Sequence, residues 1–157
     1  MEFSEYVAAR RATLVRSAVL LGCPQPDAED LVQATLLKIF RSWRRVSRAE
    51  RPDAYAYRIL VNTLHDQRAR RWHGERPTAD LPEPTEESVA DPTTGLAVRR
   101  ALAAMSKEHR EVLVLRYYAD LSEADIARVL GIAPGTVKSR AARGLALLAD
   151  DQNVRSS

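Results

Sequence analysis

Apolar residues return every three to four positions along almost the whole chain, the spacing of a helix face. Strand-like alternation with a period of two is nearly absent. Phe3, Tyr6, Val7, Leu14 and Leu21 fit one face, and Gly22 with Pro24 supplies the stop signal. The segment PDAEDLVQATLLKIFRSWRRV opens a second helix at Pro26, with Asp27 as candidate N-cap and Asp30 at N3. On its wheel Val32, Leu36, Ile39, Phe40 and Trp43 form the core side. Leu31 and Leu37 fall off that side, among Asp30, Gln33 and Arg41. Two leucines beside polar residues fit either a protein-binding face or packing on a neighbouring helix. A third helix is predicted from about Asp53 to Trp72, and further ones near 96–105, 107–118, 122–130 and 134–149. The fold class is therefore all-α.

Charge divides this helical chain. Residues 41–76 carry ten arginines against four acids, a local +6, whereas 77–95 carry five acids and no base, a local −5. Half of the eight prolines fall in the acidic stretch. A connection that long is unusual inside one compact domain. The expectation is two small helical domains, 1–72 and 96–150, joined by a flexible acidic linker over 73–95 and followed by a tail at 151–157.

The most informative stretch is LSEADIARVLGIAPGTVKSRAARGLALL, residues 121–148. Ser122 is placed to cap a short helix, with Asp125 at N3. Ile126, Val129 and Leu130 form its inner face. Gly131 ends it and Pro134 suits the first turn of the next helix. Two short helices around a glycine-containing turn are the helix-turn-helix pattern. In the second helix Val137, Ala141, Leu145 and Leu148 point to the core. Ser139 points away, with Ala142 and Arg143 beside it and Thr136, Lys138 and Arg140 at the edges. A face that is small in its middle and cationic around it can approach base edges in a major groove. Arginine can fork onto guanine, and Lys, Ser and Thr can hold phosphates.

On these residues the chain resembles the extracytoplasmic-function sigma factors of bacterial RNA polymerase. REVLVLRYYADLSEADIARVLGIAPGTVKSRAARGLALL is similar to their region 4. The resemblance implies that Thr136, Lys138, Ser139, Arg140, Ala142 and Arg143 meet the −35 promoter element. DAEDLVQATLLKIFRSW is similar to region 2.1–2.2, which implies that Asp30, Leu31, Gln33, Ala34 and Leu37 dock on the β′ clamp helices of the polymerase. SRAERPDAYAYRILVNTLHDQRARRW is similar to regions 2.3–2.4. There the resemblance implies −10 recognition and opening by Arg48, Arg51, Tyr55, Asn62, His65, Asp66, Arg68, Arg70 and Arg71. The implied partners are core RNA polymerase through its β′ clamp helices and β flap, promoter DNA, and an anti-sigma factor. Tyr55 stands where the family usually has Trp, and Ala34 and Ala142 stand where it often has an acid and a larger side chain.

Other chemistry is not favoured. The single cysteine, Cys23, excludes an internal disulfide, and His65, His73 and His109 lack metal-ligand spacing. No cofactor, catalytic or metal residue is expected, so an enzyme reading, such as a nuclease using His65 and Asp66, finds no carboxylate cluster to support it. The N-terminal MEFSEYVAAR lacks the apolar core of a signal peptide, and no stretch approaches a membrane span. A cytoplasmic protein is the expectation. The rival reading is a stand-alone helix-turn-helix regulator on operator DNA, which calls for a dimerisation helix that the sequence does not display.

Overall fold

A computed structural model describes residues 1–74 and 92–151, with side chains described for 1–70 and 95–151. Contacts group the chain into two units. One comprises Met1–Val19 with Cys23–Pro82, the other Leu20–Gly22 with Glu83–Ser157. The described residues form helices, with no strand among them.

The first unit holds α1 (Phe3–Leu20), α2 (Gln25–Arg41), α3 (Trp43–Arg48) and α4 (Pro52–Gly74). Gly22 adopts φ 101° just past α1, the left-handed geometry that glycine accepts without strain. α2 is capped three residues earlier than the sequence implied. Pro24 is its N-cap and makes no side-chain cap bond, so Asp27 lies in the first turn instead. Proline has no N–H, and a helix start tolerates that omission. α2 packs along α4, and the short α3 packs on α4 and α2. α1 is tied to both long helices by side chains. Ser17 Oγ and Tyr57 Oη are 2.7 Å apart in the interior. Arg10 donates to Asp53 at 3.1 Å and Arg11 to Glu29 at 3.2 Å, both exposed and so weakly stabilising. Phe3 and Tyr6 meet Trp43, both with ring centroids 5.4 Å apart, and Phe3 also meets Phe40 at 5.0 Å.

The core of α2 corrects the sequence expectation. Its buried positions are Ala28, Leu31, Val32, Thr35, Leu36 and Ile39. Leu31 is fully buried, whereas Phe40 is 57 % exposed and Trp43 only half-buried. A helix covered by both α1 and α4 buries a wider arc than a one-sided wheel allows, and that arc is rotated toward Leu31.

The second unit holds α5 (Pro92–Ala104), α6 (Lys107–Leu113), α7 (Glu123–Leu130) and α8 (Pro134–Asp150). Of the predicted linker, 73–74 and 92–95 are helical; the rest lies outside the described residues, as do 152–157 of the tail. Ser106 caps α6, its Oγ accepting from the His109 amide. The helix predicted over 107–118 then widens into a π-turn at Val114–Tyr118, with the Ala119 amide donating to the Val114 carbonyl at 3.0 Å. Val112, Leu113, Val114 and Leu115 are all buried there. α8 packs on α6 and α7. Its buried residues are Val137, Ala141 and Gly144, and Leu145 is 41 % exposed rather than core. Gly144 faces Leu113 of α6, and Leu145, one position (about 100°) further round the helix, is directed away from that contact.

Candidate nucleic-acid interface

The geometry of α7 and α8 follows from their punctuation. Ser122 Oγ accepts from the Asp125 amide at 3.1 Å, fixing the start of α7. Gly131 takes φ 67° and ψ 38°, and the amides of Gly131 and Ile132 both reach the Ala127 carbonyl. Those bonds satisfy the last turn and reverse the chain. Ala133 is extended and Pro134 opens α8. The second helix is thus held at a set angle by three residues of turn.

Lys138, Ser139, Ala142 and Arg143 are exposed, and Thr136 and Arg140 are half-buried. The first four form one solvent-facing patch by their spacing. Ser139 donates its hydroxyl proton to the Thr136 carbonyl at 3.1 Å, which leaves its oxygen lone pairs outward as acceptors. The Glu108 carboxyl is held below its ordinary value first by a backbone hydrogen bond at its own residue, then by Lys107 and by Arg140.

On α4 the buried side is Ala56, Tyr57, Leu60, Val61, Thr63 and Leu64. The opposite side carries Tyr55, half-buried, then Asn62 and Asp66, exposed, with His65 half-buried and Arg70 exposed. Arg51 sits four residues before Tyr55, and Arg48 ends α3. Arg68 lies six residues from Asn62, well round the helix from this stripe, and is half-buried. The side chain of Arg71 lies outside the described residues. Arg58 is a residue the sequence reading missed. It is exposed, three after Tyr55 and four before Asn62, and the helical wheel of α4 is the signal that finds it.

Of the residues assigned to polymerase docking, Asp30, Gln33 and Leu37 are exposed and Ala34 half-buried, all at i, i+3, i+4 and i+7 on α2. Leu31 is fully buried and so is not available for docking. Phe40 is exposed instead. It follows Leu37 by three residues on the same face, and these two are half or more exposed. Among the described residues no group of His, Cys, Asp and Glu is arranged to hold a metal ion, and no described helix is long and apolar enough to cross a membrane.

Comparison with known proteins covers both units. The family Sigma-70 region 2 matches residues 5–74, and Sigma-70 region 4 matches 95–148. The RNA polymerase sigma-E factor of Streptomyces coelicolor is 34 % identical over 156 residues, spanning 99 % of this chain and 88 % of that one. The ECF RNA polymerase sigma factor SigM of Mycobacterium tuberculosis is 36 % identical over 148 residues, covering 94 % and 75 %. Among solved structures, the sigma factor RpoE of Bartonella quintana, crystallised with the anti-sigma factor NepR, superposes with a TM-score of 0.78 at 24 % identity over 97 % of both chains. CnrH in complex with the cytosolic domain of CnrY gives 0.65 at 27 %, over 94 % of this chain and 84 % of that one. The two matched regions follow one another in the order in which the two surfaces occur here, and the chain belongs to the extracytoplasmic-function sigma factors of RNA polymerase.

Proposed function

We propose that this transcription initiation factor reads the −35 element with the outer face of α8 and engages and opens the −10 element with α4 and the loop before it. The observation that carries the reading is the exposed patch Lys138, Ser139, Ala142 and Arg143 on a helix whose angle is fixed by the Gly131 turn. Arg143 supplies a bidentate donor for a guanine edge, Lys138 a phosphate contact, and Ala142 the close approach. Thr136 and Arg140 act at the margins. On α4, Tyr55 offers a stacking surface, Asn62, His65 and Asp66 offer hydrogen-bonding groups, and Arg48, Arg51, Arg58 and Arg70 a cationic track for an opened strand. Arg68 and Arg71 complete the assigned set.

The chain docks on the β′ clamp helices of core polymerase through Asp30, Gln33, Ala34, Leu37 and Phe40. Tyr117, Tyr118 and Leu145 give the second unit an exposed apolar patch suited to the β flap. An anti-sigma factor is a further partner, as for the solved RpoE relative. The protein acts in the cytoplasm as a binding module rather than an enzyme. The two-region match disfavours the stand-alone regulator.

The test is reconstitution with bacterial core RNA polymerase on a promoter library. Gain of promoter-dependent initiation over core alone is the expected result, and equal transcription with and without the chain overturns the reading.

A further inference from the structure

The junction of α2 and α3 carries an arginine group of which only Arg48 is used by the base-reading or docking assignments. Arg41 lies in the last turn of α2, Arg44 near the start of the six-residue α3, and Arg45 and Arg48 in its last turn. All four are exposed. Among the described residues none of the four has an ion pair or hydrogen bond through its side chain. Lys38 differs: its Nζ donates to Thr63 Oγ1 at 3.0 Å. Between residues 41 and 52 the one acid is Glu50.

Two features make this arrangement costly to the free protein. Arg41, Arg44 or Arg45, and Arg48 follow at three- and four-residue spacing, and like charges at that spacing repel. Arg44 also sits at the positive end of α3, whose first turn contains no acid. A cation there opposes the helix dipole, whereas Arg41, Arg45 and Arg48 lie in last turns and are favourably placed. Folding therefore gains nothing from Arg44. Val46, the residue after Arg45, is the buried anchor of α3, so the exposed Arg44 and Arg45 stand on a packed element. Arginine forks match phosphate oxygens, and a row of them without internal counter-charges fits a polyanion.

We propose that Arg41, Arg44 and Arg45 form a phosphate-binding face that grips the promoter DNA backbone independently of sequence, beside the −10 contacts. This inference rests on the reading of the chain as a promoter-binding initiation factor. Arg48, at the end of the row, joins the face to the −10 set. These side chains hold the duplex or its opened strand in place while other residues read bases.

The experiment uses holoenzyme assembled from the full chain and bacterial core polymerase. Its probes are a duplex enriched from a random pool by the wild-type holoenzyme, a shuffled duplex of equal length, and the enriched duplex with a preformed bubble. The variant R41Q/R44Q/R45Q is expected to lose affinity for enriched and shuffled probes by the same factor. Its plot of log affinity against log salt becomes shallower by about 2–3 units, from three contacts at ~0.7 each on single strands or ~0.9 on duplex. From 50 to 200 mM salt the wild type then loses about 16- to 64-fold more affinity than the variant. A change on the bubble probe alone places the contact on the opened strand; a change on all three places it on duplex. R41K/R44K/R45K keeps most of the slope. An unchanged slope in assembled holoenzyme overturns the proposal. So does a normal slope with poor holoenzyme yield, which assigns the arginines to a protein contact. Failure of the wild type to enrich any sequence counts against the promoter reading instead, and the shuffled duplex still reports on the arginines.

Discussion

Gly144 on α8 lies directly against Leu113 on α6: a Cβ at Gly144 would fall 2.9 Å from Leu113 Cγ and 3.0 and 3.2 Å from its two methyls. Glycine inside a helix ordinarily costs about 0.5–1 kcal/mol relative to alanine. Here the missing methyl permits the close approach of α8. Gly144→Ala is expected to destabilise the second unit by about 1 kcal/mol, overpacking outweighing the helix gain. In a Leu113→Ala background the same change should stabilise. Urea unfolding of the four proteins measures the coupling, and additive effects would show that the contact does not set the helix spacing.

Leu31, Leu37 and Phe40 separate core from surface on α2. Leu31→Ala should cost about 2–5 kcal/mol, the range for a fully buried leucine. Leu37→Ser with Phe40→Ser should cost far less. Phe40 loses mainly its ring contact with Phe3, worth about 0.5–1.5 kcal/mol. Capture by core polymerase should fail in the surface double variant while its fold survives. Melting temperature and pull-down on the same preparations check both expectations.

Arg143→Ala is expected to weaken binding of the preferred −35 duplex by about 1–3 kcal/mol and to relax preference at one base pair. A uniform loss on all sequences, with a salt slope lower by about one unit, would assign Arg143 to phosphate instead. Competition binding across single-base variants of the site distinguishes the two.

Tyr6 is 4 % exposed, and its hydroxyl has no hydrogen-bond partner. Burial, with a smaller contribution from Asp53, pushes its pKa well above the ordinary 10.0. The folded state therefore keeps the proton that the unfolded chain loses. This contribution is complete below about pH 10 and declines as pH rises further, by up to ~1.4 kcal/mol per pH unit. Tyr6→Phe removes the unpaired hydroxyl. It should raise stability near neutrality by up to about 1–3 kcal/mol and flatten the alkaline decline. Denaturant midpoints of the two proteins at pH 7 to 11 read out both effects.

What the sequence made legible was local. Ser122, Gly131 and Pro134 each fix a backbone state within a few residues, so the paired helices and their turn could be placed before any coordinates. Lys138, Ser139, Ala142 and Arg143 followed, because their direction depends only on that helix. The errors were non-local. Leu31 and Phe40 exchange roles because α1 and α4 together decide which arc of α2 is covered. Leu145 turns outward because of what Gly144 meets on α6. The π-turn at Val114–Tyr118 lets consecutive apolar residues all be buried, which a wheel of fixed pitch cannot represent.

The aromatic cluster of Phe3, Tyr6, Phe40 and Trp43 has an optical consequence. The chain's two tryptophans, Trp43 and Trp72, both fall in the first unit, and the second has none. Indole emission therefore follows the first unit alone, whereas far-ultraviolet circular dichroism follows helices in both. During denaturation the two signals coincide only if the units unfold as one cooperative body. Because Trp43 packs against Phe3, which also meets the exposed Phe40, the same emission should shift when a protein covers that face. The molecule thus carries an intrinsic fluorophore beside the surface proposed to dock on polymerase, and binding there can be followed without a label.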